Sequence, residues 1–190
     1  MPGGGAVRLL AYQNHARMGD YRVALASAEA AGTRPDIVAD DTPGRRKRGL
    51  GLNIEQPLAD DGETGAFVRA GRDDGTTESF AFTEVEGHAS GGVQVAGNHW
   101  GRRLDRVGLA VLRHTINEAH RQYLAAGGTG FLLGDGALRY GPETVLESYY
   151  RAQVGPFLQV GPDVQYVRNP GYNRDRGLAF VMTLRLNLRY

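Results

Sequence analysis

The chain has 190 residues, a formal net charge of +1 and no cysteine. The nearly balanced charge gives no strong basic surface for nucleic acid, and the lack of cysteine excludes disulfides, thiolate metal sites and cysteine nucleophiles. Mean hydropathy is −0.38, and no apolar run approaches the roughly 20 residues that a membrane helix needs. A membrane β-strand is apolar on one face only, so these averages do not exclude one.

Two-residue alternation of apolar and polar residues predicts about eight β-strands, which are clearest in the second half of the chain. In chain order they are AVRLLAYQN, RKRGLGLNIEQ, TGAFVRAGR, SGGVQVAG, DRVGLAVLRHT, ETVLESYYRAQV, FLQVGPDVQYVR and LAFVMTLRLNLRY. In the last, every second residue from Leu178 to Tyr190 is apolar, over 13 residues. Strands of soluble proteins are typically about 5–6 residues long, whereas a tilted membrane strand needs about 9–11. The pattern favours an all-β, antiparallel transmembrane β-barrel.

The predicted connections alternate between long and short for most of the chain. Two long ones contain a predicted helix, from Asp20 to Ala31 and from Asn117 to Ala126, and the first helix ends at Gly32. The last two connections, GPF and NPGYNRDRG, are both short. Outer-membrane barrels have long extracellular loops and short periplasmic turns. If Tyr190 ends on the periplasmic side, the long connections, with their short helices, are extracellular.

A soluble antiparallel β-sandwich that binds carbohydrate or protein is the alternative, because its strands also alternate. Such a sandwich would use the leucine face as its core and leave the charged face in water. Periodicity alone does not separate the two folds. Strand length and the asymmetry of the connections favour the barrel.

Longer strings carry a more specific signal. They are GLGLNIEQPL, FVRAGRDDGTTESFAFTEVE, AHRQYLAAGGTGFLLGDG followed by YGPE, LESYY, and VQYVRNPGYNRDRG. In this order they resemble the carbohydrate-selective porins of the OprB family, from about Val7 to Tyr190. The resemblance implies a sixteen-stranded barrel in the outer membrane of a Gram-negative bacterium that lets sugars, often glucose-like ones, diffuse through.

The length of the chain departs from that family. Residues 1–190 resemble the C-terminal half of such a porin as one incomplete domain, and the first residues, MPGGGAVRLLAYQN, lack the features of a signal peptide. Eight strands make either an open sheet or a small barrel filled by side chains. Sugar passage is therefore implied for the family, and conduction by this chain alone stays open.

A sugar pore needs hydrogen-bonding side chains along its wall. The polar positions of the predicted strands supply both donors and acceptors, and Glu143, Glu147 and Arg151 share one face of a single strand. Pairing with neighbouring strands, with no contact to sugar, is the simpler interpretation for each residue taken singly. The predicted pore-lining and sugar-contacting residues are Arg8, Asn53, Glu55, Arg69, Glu143, Glu147, Arg151, Gln153, Asp163, Gln165, Arg185 and Asn187.

The C-terminal strand resembles the signal that the barrel-assembly machinery reads in outer-membrane proteins. Its predicted signal residues are Leu184, Leu186, Leu188 and Tyr190. The loop NEAHRQYLAAGGTGFLLGDG is expected either to fold into the lumen as a constriction or to cover the mouth. The basic run GRRKRG could meet lipopolysaccharide phosphates, or it is a solvated loop.

The sequence gives no support for an enzyme, a cofactor or a metal. The five histidines show no metal-ligand spacing. GHASG is not a G-x-S-x-G nucleophile elbow, and no Ser-His-Asp order is recognisable. An outer-membrane hydrolase stays an open alternative because triads are recognised by geometry. Sugars and outer-membrane lipid are the expected partners, and nucleic acid is not.

Overall fold

The computed structural model describes residues 4–79 and 83–189. It contains one eight-stranded sheet in which every strand is antiparallel to its neighbour in sequence. The strands are β1 (Ala6–Met18), β2 (Thr42–Ala59), β3 (Thr64–Asp73), β4 (Gly87–Ala96), β5 (Arg106–Thr115), β6 (Glu143–Val154), β7 (Leu158–Arg168) and β8 (Leu178–Leu188). The predicted antiparallel all-β fold is confirmed.

The sheet is open in the part of the chain that the structure describes. β1 pairs with β2 and β8 pairs with β7, and no ladder joins β1 to β8 across residues 4–79 and 83–189. A single sheet differs from the alternative sandwich, which needs a second sheet packed on the first. Both edge strands are long, with 13 residues in β1 and 11 in β8.

Two α-helices lie in the long connections, as the sequence predicts. In α1 (Tyr21–Ala31), the Asp20 carboxylate accepts hydrogen bonds from the backbone N–H of Arg22 and of Val23, and Gly32 ends the helix with a φ of 65°. Aspartate at the N-cap and glycine at a positive φ are the usual start and stop signals. The second helix is α2 (Glu118–Ala125). Among the described residues, no helix has the length and apolarity to cross a membrane.

The connections at one end of the sheet pack together as a cap, defined by the described parts of 19–41, 74–86, 116–142 and 169–177. Its apolar core contains Tyr21, Ala24, Ile37, Ile116, Tyr123, Leu124 and Tyr172. The Arg176 guanidinium donates two hydrogen bonds to the Asp135 carboxylate, at 2.8 and 2.6 Å, and these bonds lower the pKa of Asp135. The cap therefore joins all four connections at this end, whereas the opposite end has shorter turns.

The final connection of the cap is short, as predicted, and it is ordered by two 3₁₀ turns. NPGYNRDRG forms these turns at Pro170–Tyr172 and Arg174–Arg176, and it buries Tyr172 in the cap core. The Tyr172 hydroxyl donates a hydrogen bond of 2.8 Å to the carbonyl oxygen of Glu84. Burial raises the pKa of Tyr172, so this phenol stays neutral. This connection therefore stabilises the cap, which its short length did not indicate.

Replacing Tyr123 with phenylalanine is expected to loosen the cap without disturbing the sheet. The Tyr123 hydroxyl accepts a bond of 3.1 Å from the buried N–H of Ile37 and donates one of 2.9 Å to the carbonyl of Thr129. Loss of the hydroxyl leaves both groups without this partner, at a cost of about 1–3 kcal/mol. Hydrogen exchange at Ile37 should accelerate, whereas exposed Tyr166→Phe should leave it unchanged. Equal exchange in both variants would contradict this role.

The strand register divides the sheet into an apolar face and a polar face. Directly opposed residues such as Leu9 and Leu52, or Val160 and Leu186, share the apolar face. Large apolar side chains on this face stay exposed, with Leu9 at 83% and Leu188 at 75%. They occur on every strand, as in Val7, Leu50, Val68, Val93, Leu109, Leu146, Tyr166 and Met182. Soluble monomers rarely expose an apolar surface of this extent, so the face is suited to contact with lipid.

Candidate functional site: the polar face of the sheet

The strand register places all twelve predicted pore-lining residues on the polar face. Arg8 lies opposite Asn53, and Asn53 lies opposite Arg69 on the next strand. On the other half of the sheet, Glu147 lies opposite Gln165, and Gln159 lies opposite Asn187. Directly opposed residues point to the same side of a sheet. The predicted set therefore shares one surface, although its contact with a permeating sugar stays a prediction.

Four of the twelve residues form a network on β1, β2 and β3. The Glu55 carboxylate lies 2.8 Å from an Arg8 guanidinium nitrogen and 3.7 Å from one of Arg69. The Asn53 side chain donates to Glu55 at 3.1 Å. The Arg69 guanidinium also lies 4.7 Å from the centre of the Phe67 ring. These residues largely bind one another, as the simpler interpretation of the sequence expected.

Glu143, Glu147 and Arg151 lie on one face of β6, but they do not form one cluster. Glu143 accepts a hydrogen bond of 2.8 Å from the N–H of Gly171 in the cap. Glu147 accepts a 3.4 Å bond from Gln165 on β7. Because strand residues advance by about 3.3 Å each, Glu143 and Arg151 lie far apart along β6. The sequence predicted their shared face but grouped residues that have different surroundings.

A recess opens on the polar face between β6, β7 and β8. Its volume is about 330 Å³, and its lining includes Glu147, Arg151, Gly161, Asp163, Arg185 and Asn187. Five of these six residues belong to the predicted set. Tyr149, Tyr150 and Gly161 line it as well, and Gly161 was missed because a residue without a side chain gives no signal in a search for polar groups. We name this site the Gly161 recess.

Three aromatic residues on the polar face each lie over a glycine of the neighbouring strand. The pairs are Tyr12 with Gly49, Phe67 with Gly92, and Tyr149 with Gly108. In each pair, a Cβ added to the glycine would overlap the aromatic ring. The Tyr149 hydroxyl also crosses β5 and donates a bond of 2.7 Å to the Gln94 side chain. These aromatic–glycine pairs connect neighbouring strands on the polar face. They can be recognised only when the strand register is known.

Replacing Gly108 with valine is expected to destabilise the folded protein by about 1–3 kcal/mol, because the new side chain must displace Tyr149. Denaturant unfolding in detergent measures the change. Adding Tyr149→Ala should relieve the overlap, so the double variant should lose less than the two single losses together. The matched control is Gly91→Val on the apolar face, where an added Cβ has ordinary contacts no closer than 3.5 Å. Equal losses in both glycine variants would contradict the pairing.

The cap covers the polar face at the end where its four connections meet. Met18 is completely buried, and the Thr77 hydroxyl lies 3.5 Å from its sulfur. Lys47 is also buried, and its ammonium nitrogen lies 4.0 Å from an Asp73 carboxylate oxygen. Large side chains of the apolar face remain exposed, so the cap lies toward the polar side.

The cap also encloses a buried polar pair. The Nδ1 atom of His120 lies 2.8 Å from a Glu86 carboxylate oxygen, and both side chains are almost fully buried. The Tyr21 ring stacks on the imidazole, with 4.2 Å between ring centres. The Nε2 atom of His120 has no hydrogen-bond partner within residues 4–79 and 83–189. This pair helps to position α2 against the segment before β4.

A row of His88, His114 and Glu143 crosses the polar face just below the cap. The two imidazole centres lie 5.0 Å apart, and Nδ1 of His114 lies 3.5 Å from a Glu143 carboxylate oxygen. No group of three potential ligands in the described part of the chain has the geometry to hold a metal ion. The strand register places all three residues on the polar face.

The opposite end of the sheet is organised by Asp105, which precedes β5. Its buried carboxylate accepts hydrogen bonds from the guanidinium of Arg102 at 2.5 Å, the hydroxyl of Tyr150 at 2.6 Å and the backbone N–H of Gln153 at 2.9 Å. Burial disfavours the charged form, but these donors outweigh it and lower the pKa of Asp105 to about 2. Beside it, Trp100 donates to the Tyr150 hydroxyl at 3.0 Å. This network fixes the turn between β4 and β5 to the end of β6.

The comparison with protein families decides the class of the protein. The model of the carbohydrate-selective porin, OprB family, matches residues 2–190. The chain belongs to the OprB family. Among curated proteins, none matches the sequence significantly.

A solved OprB structure shares this fold. The chain is similar to the high-pH structure of Pseudomonas putida OprB, with a TM-score of 0.74 and 20% sequence identity. The similarity covers 97% of this chain and 44% of that one. The chain therefore spans less than half the length of the solved OprB. Family and fold together indicate a porin rather than an enzyme.

The C-terminal strand of this OprB-family chain carries three of the four predicted assembly-signal residues. Leu184, Leu186 and Leu188 lie on the apolar face of β8 and are 64%, 63% and 75% exposed. Tyr190 lies outside the described residues. Recognition by the assembly machinery stays a prediction for this strand.

Proposed function

We propose that this chain forms part of the wall of an outer-membrane pore through which sugars such as glucose diffuse passively in a Gram-negative bacterium. Membership of the OprB family supports the class of protein. The single observation that carries the proposal is the division of one continuous sheet into an exposed apolar face and a polar face. In a membrane barrel, the first would contact lipid and the second the aqueous lumen.

The chemistry of the polar face is suited to uncharged, hydroxylated solutes. A hydroxyl group donates one hydrogen bond and accepts others. Guanidinium groups such as Arg151 and Arg185 donate, whereas carboxylates such as Glu147 accept, and bonds to charged groups are stronger than neutral ones. Positive and negative side chains are interspersed on this face. It therefore differs from the wall of an ion-selective pore, which carries a ring of charges of one sign. The twelve predicted residues are proposed as its sugar-facing wall.

The two edges of the sheet need partners in a membrane. Unpaired backbone groups in hydrocarbon cost several kcal/mol each, and only a closed barrel satisfies them. We infer that further strands pair with β1 and β8 in the working pore. The greater length of the solved OprB is consistent with this inference.

The cap is proposed as a cover over the mouth on the extracellular side. The sequence left two alternatives for the loop that contains α2, either a constriction in the lumen or a cover over the mouth. The packing of Tyr123 and Leu124 in the cap core, and the contact of His120 with Glu86, favour the cover. We propose that the short turns, including Asp60–Gly62 between β2 and β3, lie on the periplasmic side.

Contact with lipopolysaccharide is proposed for a smaller part of the basic run than its sequence suggests. Lys47 is buried beside Asp73, and the Arg45 guanidinium donates to the carbonyl of Met18 at 2.9 Å. Arg46 and Arg48 are exposed. The run therefore offers two exposed cations to lipid phosphates.

Liposome swelling tests the proposed function. The complete pore, in which further strands pair with β1 and β8 of this chain, should let glucose into liposomes faster than a large polysaccharide once it is folded in detergent and reconstituted, and the rate should rise linearly with the glucose gradient. Uptake that needs an ion gradient would contradict passive diffusion. Purification as a water-soluble monomer without detergent would contradict placement in a membrane.

A further inference from the structure

The apolar face of the sheet carries charge only near the cap. Among the described strand residues that are paired in register, each charged residue assigned to this face is an arginine. The polar face, in contrast, carries both signs, as in Arg8 and Glu55. The arginines of the apolar face lie where β2 begins and where β3, β5 and β7 end, so all of them border the cap. They are Arg46, Arg48, Arg72, Arg113 and Arg168.

Two of these arginines flank a threonine in one row across the sheet. Arg113 lies directly opposite Thr144 on β6, and Thr144 lies directly opposite Arg168 on β7. Because neighbouring strands lie about 4.8 Å apart, roughly 10 Å separates the backbones of the two arginines. Their long side chains and the hydroxyl between them can therefore contact the same small group. We name these three residues the outer arginine site.

The outer arginine site has no carboxylate to balance its charge within residues 4–79 and 83–189. Arg113 and Arg168 are exposed, and neither forms an ion pair there. On the polar face, Arg8 and Arg69 share the Glu55 carboxylate. Like charges on nearby strands destabilise a sheet, so an anion bound between the two arginines would stabilise this one.

The next row of the same face, on the side away from the cap, is wholly apolar on β5 to β8. It lies two residues further along the strands, which is roughly 7 Å. Its members oppose one another in turn, and all four are exposed. A ligand that satisfies both rows needs an anionic group beside hydrocarbon, which inorganic phosphate alone does not offer. The four residues are Val111, Leu146, Tyr166 and Phe180.

We propose that the outer arginine site binds the phosphate group of a glycolipid in the outer leaflet, whose acyl chains cover the neighbouring apolar row. The proposal rests on the extracellular placement of the cap given above. A guanidinium group donates two parallel hydrogen bonds to phosphate oxygen atoms, and such charge-assisted bonds are strong. The Thr144 hydroxyl can donate another. The site is separate from the basic run on β2 and lies on the opposite half of the sheet.

Binding of lipid A to the complete pore, folded in detergent, tests the proposal. Diphosphorylated lipid A carries phosphate and acyl chains, whereas dephosphorylated lipid A carries the acyl chains alone. When Arg113→Gln and Arg168→Gln are combined, the affinity for the diphosphorylated form should fall about tenfold or more, which corresponds to about 1.4 kcal/mol. The affinity for the dephosphorylated form should stay the same. Titration followed by native mass spectrometry measures both.

The matched control combines Arg34→Gln with Arg139→Gln, which removes the same charge from exposed residues of the cap. Both lipid affinities should equal those of the unchanged protein. An equal loss in this control would overturn the proposal, because net charge would then explain the binding. Binding of inorganic phosphate as tight as that of diphosphorylated lipid A would overturn the assignment of a lipid.

The outcomes also separate this inference from the proposed function. Unchanged affinity for diphosphorylated lipid A in the Arg113→Gln and Arg168→Gln variant, with its strand signal in circular dichroism intact, would overturn the lipid site. If the two arginines determine lipid A binding but glucose does not enter liposomes, the lipid site stands and the pore function fails. If glucose enters and lipid A binds equally with and without the two arginines, the pore function stands and the lipid site fails.

Discussion

Leu184→Arg on the apolar face of β8 is expected to impair membrane folding strongly. Leu184 lies next to the middle of the strand, and its side chain is 64% exposed on the face assigned to lipid. An arginine at the bilayer midplane of a membrane barrel costs about 2–4 kcal/mol. Reversible urea unfolding in lipid vesicles measures this loss.

The neighbouring residue supplies the control, because Thr183 points to the polar face. Its hydroxyl lies 3.2 Å from Asp163. Thr183→Arg adds the same side chain one residue away, but it should reach the aqueous lumen and cost less than about 1 kcal/mol. The comparison separates orientation from side-chain size. If Thr183→Arg were the more damaging variant, the assignment of the two faces would be reversed.

Asp105→Ala is expected to lower the free energy of unfolding by about 3 kcal/mol, because it leaves several donors without their acceptor. Arg102 is half exposed and can return to water. The Tyr150 hydroxyl and the backbone N–H of Gln153 are less able to do so. Unfolding of the turn between β4 and β5 should show first in the fluorescence of Trp100, the one tryptophan of the chain.

The matched control is Asp61→Asn, since Asp61 is an exposed aspartate at the same end of the sheet and asparagine tolerates its positive φ of 54°. It should change stability by less than about 0.5 kcal/mol. A similar loss of unfolding free energy in the two variants would show that the negative charge at this end, and not the Asp105 network, stabilises it.

The Asp105 network also predicts a dependence on pH. Its folded-state pKa of about 2 lies below the usual value of about 3.9 for an aspartate. The stabilisation is therefore fully present above the unfolded pKa and is lost as the pH falls from about 4 toward about 2. In Asp105→Asn this part of the acid sensitivity should disappear. Unfolding curves at pH 6, 4 and 3 give the free energy of unfolding of the two proteins. The same dependence of this free energy on pH in both would contradict the role of Asp105.

The sequence predicts the sheet well because a sheet with one apolar and one polar face follows a simple rule. Residues that alternate between lipid and water give a two-residue period, and β8 follows it from Leu178 to Leu188. The first helix is equally predictable, since Asp20 and Gly32 are local signals that need no tertiary information. The same alternation assigns the twelve polar residues to one face.

The details of the candidate site depend on which strands are neighbours, and a single sequence does not show this. The Gly161 recess exists only because Arg151 and Arg185 come from strands on either side of the glycine. The cap could not be predicted from the sequence for a similar reason. Its core joins Ile37, Ile116 and Tyr172 from three separate connections, and none of these lies in a periodic segment long enough to indicate burial.

The aromatic–glycine pairs have a consequence for how the strands find their partners during assembly. A slip of two residues preserves the apolar and polar faces, so hydrophobicity alone gives no penalty against it. After such a slip, Tyr149 would meet Ala110 or Arg106 in place of Gly108, and Phe67 would meet Ser90 or Gln94 in place of Gly92. Each of these residues has a Cβ where the ring must lie. Gly108 and Gly92 thus oppose a two-residue slip of their strand pairs, whereas Tyr12 would meet another glycine, Gly51, after one of its two possible slips.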